Sequence, residues 1–497
     1  MRTNISLLSF FFLSYFTEAQ VTSDALLFSE HHLTINARSM GLGNAMGALG
    51  GDLSTANLNP AGIAVYRRTE IALSVGSLFD YTTTDFIGNI NKDRMSQFSF
   101  GNFGFVLPSK LRRNADKWKY VNVGVTINRL SNYARTFSFQ GLSNGSRIQA
   151  FAENANGYSV DELDPFEGWV AYHSFLIDSI APFTFAPNGG VSDTTFTYKS
   201  QRVQRKGGVN ELGLTIGANY NNKLYIGATI GVDFLSMKED LLYKESADSL
   251  DFQALDFTEE RKINGTGINL KLGAIYRINK TFRIGFAIHT PTAYRLVDSY
   301  NTGLYGRIVY DSQTEENDFL IEDQDPDVLQ HDLSSSWVFM GSLGMVISKR
   351  GFIGVDLEYT DYGWATFSLL ENDKTPANNQ FIENLNKRIQ NSYQGVLKAR
   401  IGAEVVVGLA RIRIGYQFQS SPYREPVEGV TDFRHDISAG IGIRWKHFFL
   451  DFAYVHTLKD FEFSPYASAS TIQSVTGFSQ TGHAMLTIGA SIFRNSM

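Results

Sequence analysis

The sequence predicts an all-β fold: a 14-stranded antiparallel barrel spanning a membrane, with its N-terminal segment folded into the lumen as a hatch. Three observations carry this. Stretches of about 9–11 residues alternate apolar and polar with period two, the length of a tilted bilayer crossing. The connections between them alternate short and long, as in barrels with short turns on one side and long loops on the other. An export signal opens the chain, yet no later run reaches the roughly 18 apolar residues of a membrane helix.

Composition agrees. At 43% hydrophobic and 19% charged, the 497 residues are too polar for a helical membrane bundle and too apolar for disorder. With 44 basic and 50 acidic residues the net charge is −6, so a nucleic-acid partner has no electrostatic support. The absence of Cys removes disulfides, thiolate metal sites, iron–sulfur clusters and cysteine nucleophiles.

Residues 1–19 read as a signal peptide. Arg2 is the basic start, Ile5 to Phe16 the apolar stretch, and Thr17-Glu18-Ala19 a cleavage site before Gln20. Residues 20–69 are the predicted hatch. They lack strand periodicity but hold closely spaced Gly, Ala and Ser, and Asn59-Pro60 turns the chain. A nucleotide loop at Gly41 and Gly43 is the other reading, but the next Gly is at 47 and no strand leads in.

Residues 70–497 are the predicted barrel. Three early strands lie near residues 71–81, 98–107 and 121–127. Hairpins follow at 210–220/224–234, 268–278/282–288, 337–347/353–359, 399–407/410–418 and 437–445/448–454, and residues 484–492 end the series. Long polar loops are expected at about 131–208 (the largest), 235–265, 291–335, 361–396, 420–435 and 458–482. Aromatics gather at the short-turn ends, among them Trp118, Tyr220, Tyr276, Phe282 and Trp445, as in an interfacial girdle. A soluble β-sandwich also alternates, but it gives no reason for one-sided loop lengths.

In the second strand Phe98 and Phe100 share one parity, while Phe103, Phe105 and Leu107 take the other. The change falls at Gly101-Asn102-Phe103-Gly104, a candidate bulge or kink built on Gly101, Asn102 and Gly104. The alternative is a strand simply rich in Phe. In the longest loop, Asp164-Pro165 reads as a helix start. Phe166, Trp169, Val170, Leu176, Ile177 and Ile180 then follow at helical spacing until Pro182. That stripe either packs on the rim or lines an outer groove for an apolar ligand.

The run Ala37-Arg38-Ser39-Met40-Gly41-Leu42-Gly43-Asn44-Ala45, with Asp52-Leu53-Ser54-Thr55 and Asn59-Pro60-Ala61-Gly62, resembles the hatch of the FadL-type transporters, also known as the outer-membrane protein P1 or TodX family. The resemblance covers the hatch by motif and the rest by strand count and loop layout. It implies gating by a hatch that carries Asn59, Pro60, Ala61 and Gly62, and passive uptake of fatty acids or aromatic hydrocarbons across a bacterial outer membrane. It also implies release sideways through an opening in the wall. The partners it implies are the lipid bilayer and a hydrophobic small molecule. A different class of function is a structural or secretion-associated barrel that engages a protein partner and transports nothing. A continuous apolar luminal path favours transport, and a polar, blocked lumen favours the partner role.

No catalytic residues, metal site or cofactor are expected. The nine His are scattered, and His435-Asp436 has no nucleophile motif beside it. Glu322, Asp323, Asp325 and Asp327 lack the Gly-punctuated order of a calcium loop.

Overall fold

The computed structural model describes residues 18–111, 117–247, 251–310, 313–320, 327–348, 350–425, 432–466 and 474–492. Most of the expected signal peptide, and Glu322, Asp323 and Asp325, lie outside them. Fourteen strands form one closed antiparallel barrel. They are β1 Thr69–Phe86, β2 Asn89–Lys110, β3 Trp118–Asn132, β4 Phe196–Tyr220, β5 Leu224–Ser246 and β6 Phe252–Arg277. β7 is Phe282–His289 continued by Ala293–Tyr310, and β8 is Asp327–Ser334 continued by Val338–Ile347. The remainder are β9 Gly351–Asp361, β10 Gly395–Val407, β11 Ala410–Gln419, β12 Arg434–Arg444, β13 Phe448–Phe463 and β14 Val475–Ile492. β14 closes on β1, from Thr69 opposite Ile492 to Asp85 opposite Thr476. Pro291, without an N–H to give the ladder, separates the two parts of β7.

The outward faces explain the strand positions. Ile226, Ile230 and Phe234 on β5, and Ile268, Leu270 and Leu272 on β6, are exposed and form part of an apolar belt. Residues of this kind belong against lipid. Asn221 and Asn222, both at positive φ, make the tight turn between β4 and β5.

The strands run well past the belt, which corrects the loop expectation. Residues 235–265 are mostly strand, as are large parts of 131–208, 291–335 and 458–482. The reason is an inversion of parity. Above Phe234, the apolar Leu235, Met237, Leu241 and Tyr243 are buried inside, while Lys238, Asp240 and Lys244 face outward. Outside the bilayer the barrel's exterior is water, so the apolar face turns inward and the alternation breaks where the environment changes.

Three helices precede β1, α1 (Glu18–Ser29), α2 (Ala37–Met40) and α3 (Thr55–Leu58). Between β3 and β4 the chain builds a cap over the upper strands. Helices α4 (Arg147–Ala155) and α5 (Gly168–His173) and the hairpin Ile177–Ala181/Thr184–Pro187 compose it. Ser146 and Gln149 form a capping box at the start of α4. The helix expected from residue 166 to 180 is only the six residues of α5. It ends where Ser174 leaves helical geometry and Phe175 takes φ +58.

Candidate functional site

The lumen is filled from both ends. Below, the hatch is built on Asp52. Its Oδ1 accepts from Asn36 Nδ2 at 2.7 Å and from the Ser54 N–H at 2.9 Å, and its Oδ2 faces Arg38 Nη1 at 3.5 Å. Burial alone would raise the Asp52 carboxyl, but Arg38 and these hydrogen bonds hold it below the usual range. Asn59 caps a 3-10 turn, Pro60–Val65, by accepting from the Ala61 N–H at 3.2 Å, and its Nδ2 donates to Gly47 O at 2.7 Å. Pro60 stands at the start of that turn, where a missing N–H costs nothing. A Cβ on Gly62 would lie 2.5 Å from Thr55 Cβ, so the motif needs glycine there for close packing. Asn59, Pro60, Ala61 and Gly62 are all buried.

The wall facing the hatch is a belt of glycines. Gly217, Gly227 and Gly273 are opposite one another on β4, β5 and β6, and Gly344, Gly354, Gly402 and Gly415 continue across β8 to β11. A Cβ would lie 2.4 Å from the Pro60 backbone at Gly227, 2.0 Å from Asn59 Oδ1 at Gly273 and 2.2 Å from Leu42 O at Gly402. Hatch backbone therefore rests on wall backbone.

Above the hatch, helix α1 (Glu18–Ser29) occupies the upper lumen. Ala25 and Phe28 pack with Tyr133, Leu235, Ile263, Leu296 and Ile389 in one apolar cluster. Asp24 pairs with Arg261 at 2.7 Å, and Tyr393 Oη donates to Thr22 O at 3.0 Å.

Between α1, the hatch and the wall lies a cavity of about 60 Å³. Its lining includes His31, Glu211, Lys271, Glu358, Lys398 and Arg400, so the described residues provide no continuous apolar path at this level. Glu211 pairs with Lys271, and Arg400 Nη2 with Glu358 at 2.8 Å. Arg413 donates to Glu404 at 2.6 Å and to Asp451 at 2.7 Å. Charges this deeply buried persist only when paired.

The wall itself is interrupted. β2 and β3 pair from Asn102 opposite Asn128 to Lys110 opposite Tyr120, so, among the described residues, 89–101 are laddered to β1 alone. Gly101 is the extra residue of a bulge, because Ser74 faces Asn102 while Val75 faces Phe100. The bulge keeps Phe98, Phe103 and Leu107 all on the exposed face. Beyond Tyr133-Ala134 the chain continues as the strand Arg135–Asn144, which pairs with β4 and packs behind the β1–β2 hairpin. Phe139 meets Phe86 at 4.8 Å there, and Ser138 Oγ donates to Asp93 at 2.7 Å. Gly207 and Gly208, at φ +115 and +151, let β4 follow the bend. Hatch and break touch: Asn102 Nδ2 donates to Asn128, whose Nδ2 donates to Asn57, and Asn57 donates to Glu211 at 2.6 Å. Sequence reasoning singled out Gly101, Asn102 and Gly104; the bulge is at Gly101 beside Asn102, while Gly104 stands in regular ladder opposite Ala72 and Thr126. It missed Gly207-Gly208, whose signal was a glycine pair just before a strong strand.

The expected outer groove is not assembled. Val170, Leu176 and Ile177 are buried in the cap's core with Tyr243, Phe257 and Leu304, while Phe166 and Trp169 pack against that core, half-buried. Ile180 alone of the six stands clear, in the hairpin. The stripe is used to bind the cap to the upper wall.

Among solved structures, a FadL homologue from Pseudomonas aeruginosa is similar at 12% identity, with 93% of this chain and 99% of that one covered and a TM-score of 0.54. The toluene transporter TodX of P. putida is similar at 12% identity, 94% and 100% coverage and a TM-score of 0.51. The chain has the FadL-type fold. For the Ralstonia pickettii toluene transporter TbuX the values are 12%, 93%, 100% and 0.50, so this FadL-type barrel matches those structures over nearly their whole length. A family model described as BamG matches residues 188–393, which run from the end of the cap to the end of helix α6 (Pro376–Ser392). No curated protein matches the chain.

Proposed function

We propose that this is a bacterial outer-membrane barrel, exported through residues 1–19, that takes up a hydrophobic small molecule and releases it sideways between β2 and β3. One observation carries the reading: the wall loses its ladder beside the bulge at Gly101, at the height where the hatch's Asn57 reaches the wall through Asn128. A closed, purely structural barrel has no need of such a break. With the axis filled, an apolar compound leaves through the wall into lipid, never meeting the periplasm. The similar barrels TodX and TbuX are toluene transporters, which supports the substrate class.

The test uses the absence of native Cys. Thr136 Oγ1 and Met95 Sδ are 3.8 Å apart across the junction of the displaced strand with β2. Met95→Cys/Thr136→Cys, joined by a short, reducible bis-methanethiosulfonate cross-linker, should therefore carry a bridge that stops the two separating. Uptake of toluene or oleate by cells carrying it should fall at least tenfold and return on reduction. Uptake unchanged by the bridge would sink lateral release.

A second reading, a partner barrel that transports nothing, is favoured by the polar, doubly filled lumen. Mass spectrometry of the detergent-purified chain separates the two. Retained fatty acids or aromatics, altered by deletion of residues 24–69, support uptake. Detergent alone together with a stoichiometric protein supports partnership.

A further inference from the structure

The cap ends in a small finger, and its residues are out of keeping with its position. Every residue from Asp178 to Thr184 is exposed. Ile180 is 67% and Phe183 56% exposed, and Phe175 at the finger's base is 53% exposed. Both phenylalanines hold left-handed backbone, with φ +58 and +60, where a bulky residue is a genuine outlier. Phe175 follows α5 at the position a glycine usually fills: the Leu176 N–H bonds to Ala171 O and the Phe175 N–H to Tyr172 O. Phe183 stands in the hairpin turn, where Gly or Asn is ordinary.

These conformations are held in place by the rest of the cap. Phe183 O accepts from the Gly157 N–H at 2.9 Å, the Phe185 N–H donates to Asn156 at 2.6 Å, and Asn188 Nδ2 donates to Phe175 O at 2.9 Å. A strained backbone that the surroundings over-determine, carrying an aromatic ring out into water, marks an interaction site.

The surroundings say what kind. Residues 145–195 contain seven carboxylates and no lysine. Their one arginine, Arg147, is buried and paired with Glu167 at 3.2 Å. This segment alone is as negative as the whole chain. Asp161, Glu162 and Asp178 are exposed. A second copy would bring the same negative charge, and phosphate-bearing lipid is repelled too. Lipid is also out of reach. About 14 residues of β4 separate the cap from the upper edge of the apolar belt, roughly 35 Å at ~3.3 Å per residue and a tilt of ~40°.

We propose that this finger docks a protein at the cell surface, one offering an apolar pocket for Ile180 and Phe183 inside a rim of lysine or arginine. The inference stands whichever of the two functional readings holds. The acidic rim steers the encounter and the apolar tip anchors it.

The test places a photo-reactive phenylalanine analogue at position 183 of the full chain in native outer membranes, with the same analogue at lipid-facing position 234 as control. Position 183 should give one discrete adduct with a basic protein. Its yield should fall at least tenfold in an Ile180→Ser background, in Asp161→Asn/Glu162→Gln/Asp178→Asn, and between 50 and 500 mM salt. Position 234 should label lipid. In a second arm the analogue is at position 180 and Phe183→Gly removes the ring; glycine accepts the same backbone, so the finger is kept and the adduct should be lost. Heat-modifiable gel mobility shows that each variant has assembled. No adduct, an adduct with lipid, with a second copy or with an acidic protein, or one indifferent to these changes overturns the proposal.

Discussion

Arg413 is fully buried, and its guanidinium is divided between Glu404 and Asp451. Removing it leaves two carboxylates in the lumen wall with less cation than they need, although Arg38 and Arg444 lie within ion-pair distance of one each. Arg413→Met should cost about 3–5 kcal/mol, the range for breaking a buried pair from one side. Urea unfolding of the detergent-embedded barrel checks this, and a loss below about 1 kcal/mol would mean that Arg38 and Arg444 compensate. Half of this network was legible in the sequence: the hairpin expected at 399–407/410–418 already sets Glu404 opposite Arg413. Asp451 was not, because it lies two strands further on and only the register of β11 to β13 brings it to Arg413. Asn59, Pro60 and Gly62 were legible because their chemistry is local: a cap, a fixed φ and a missing Cβ act within a few residues.

Among the elements, the strands were readable inside the bilayer and unreadable above it. On β5 the period-two signal holds from Leu224 to Phe234 and then inverts, so residues 235–246 read as loop although the backbone continues unchanged. A pattern method that assumes one solvent fails where a strand passes between two. The N-terminal segment after α1 makes its own prediction. Burial, with Lys271 and Lys398 nearby, lowers His31 to about 3. Burial and Arg434 lower His32 to about 4, in spite of Glu30 at 3.1 Å. A histidine whose folded value is depressed binds fewer protons folded than unfolded. Its contribution is therefore complete above about pH 6.5 and is lost as pH falls towards the folded value, at up to ~1.4 kcal/mol per pH unit for each ring. Hydrogen exchange of residues 30–36, corrected for intrinsic rate, should show lower protection at pH 5 than at pH 7. Equal protection would place both rings in contact with water.

At the scale of the whole molecule, barrel and hatch are one structure, because the glycine belt lets the two backbones meet. Gly227→Val puts a branched side chain where the Pro60 backbone now lies, and the hatch must move. Reconstituted in planar bilayers, that variant should conduct ions where the parent is silent; silence in both would show that α1 seals the lumen alone. The place of α1 in the lumen was missed from the sequence for the same reason as Asp451: what it packs against is distant in sequence and set by closure. The same closure constrains the order of assembly. The segment that precedes β1 ends at the centre of the finished molecule, with Phe28 among side chains from β3, β5, β6 and β7. A closed cylinder cannot readily be threaded afterwards, so β14 must find β1 while the hatch and α1 already lie between the sheet's two edges. The plug is thus enclosed as the barrel is wrapped, not inserted later. A bulky tag inserted just before α1 would be caught inside during wrapping, whereas the same tag beyond β14 would stay free.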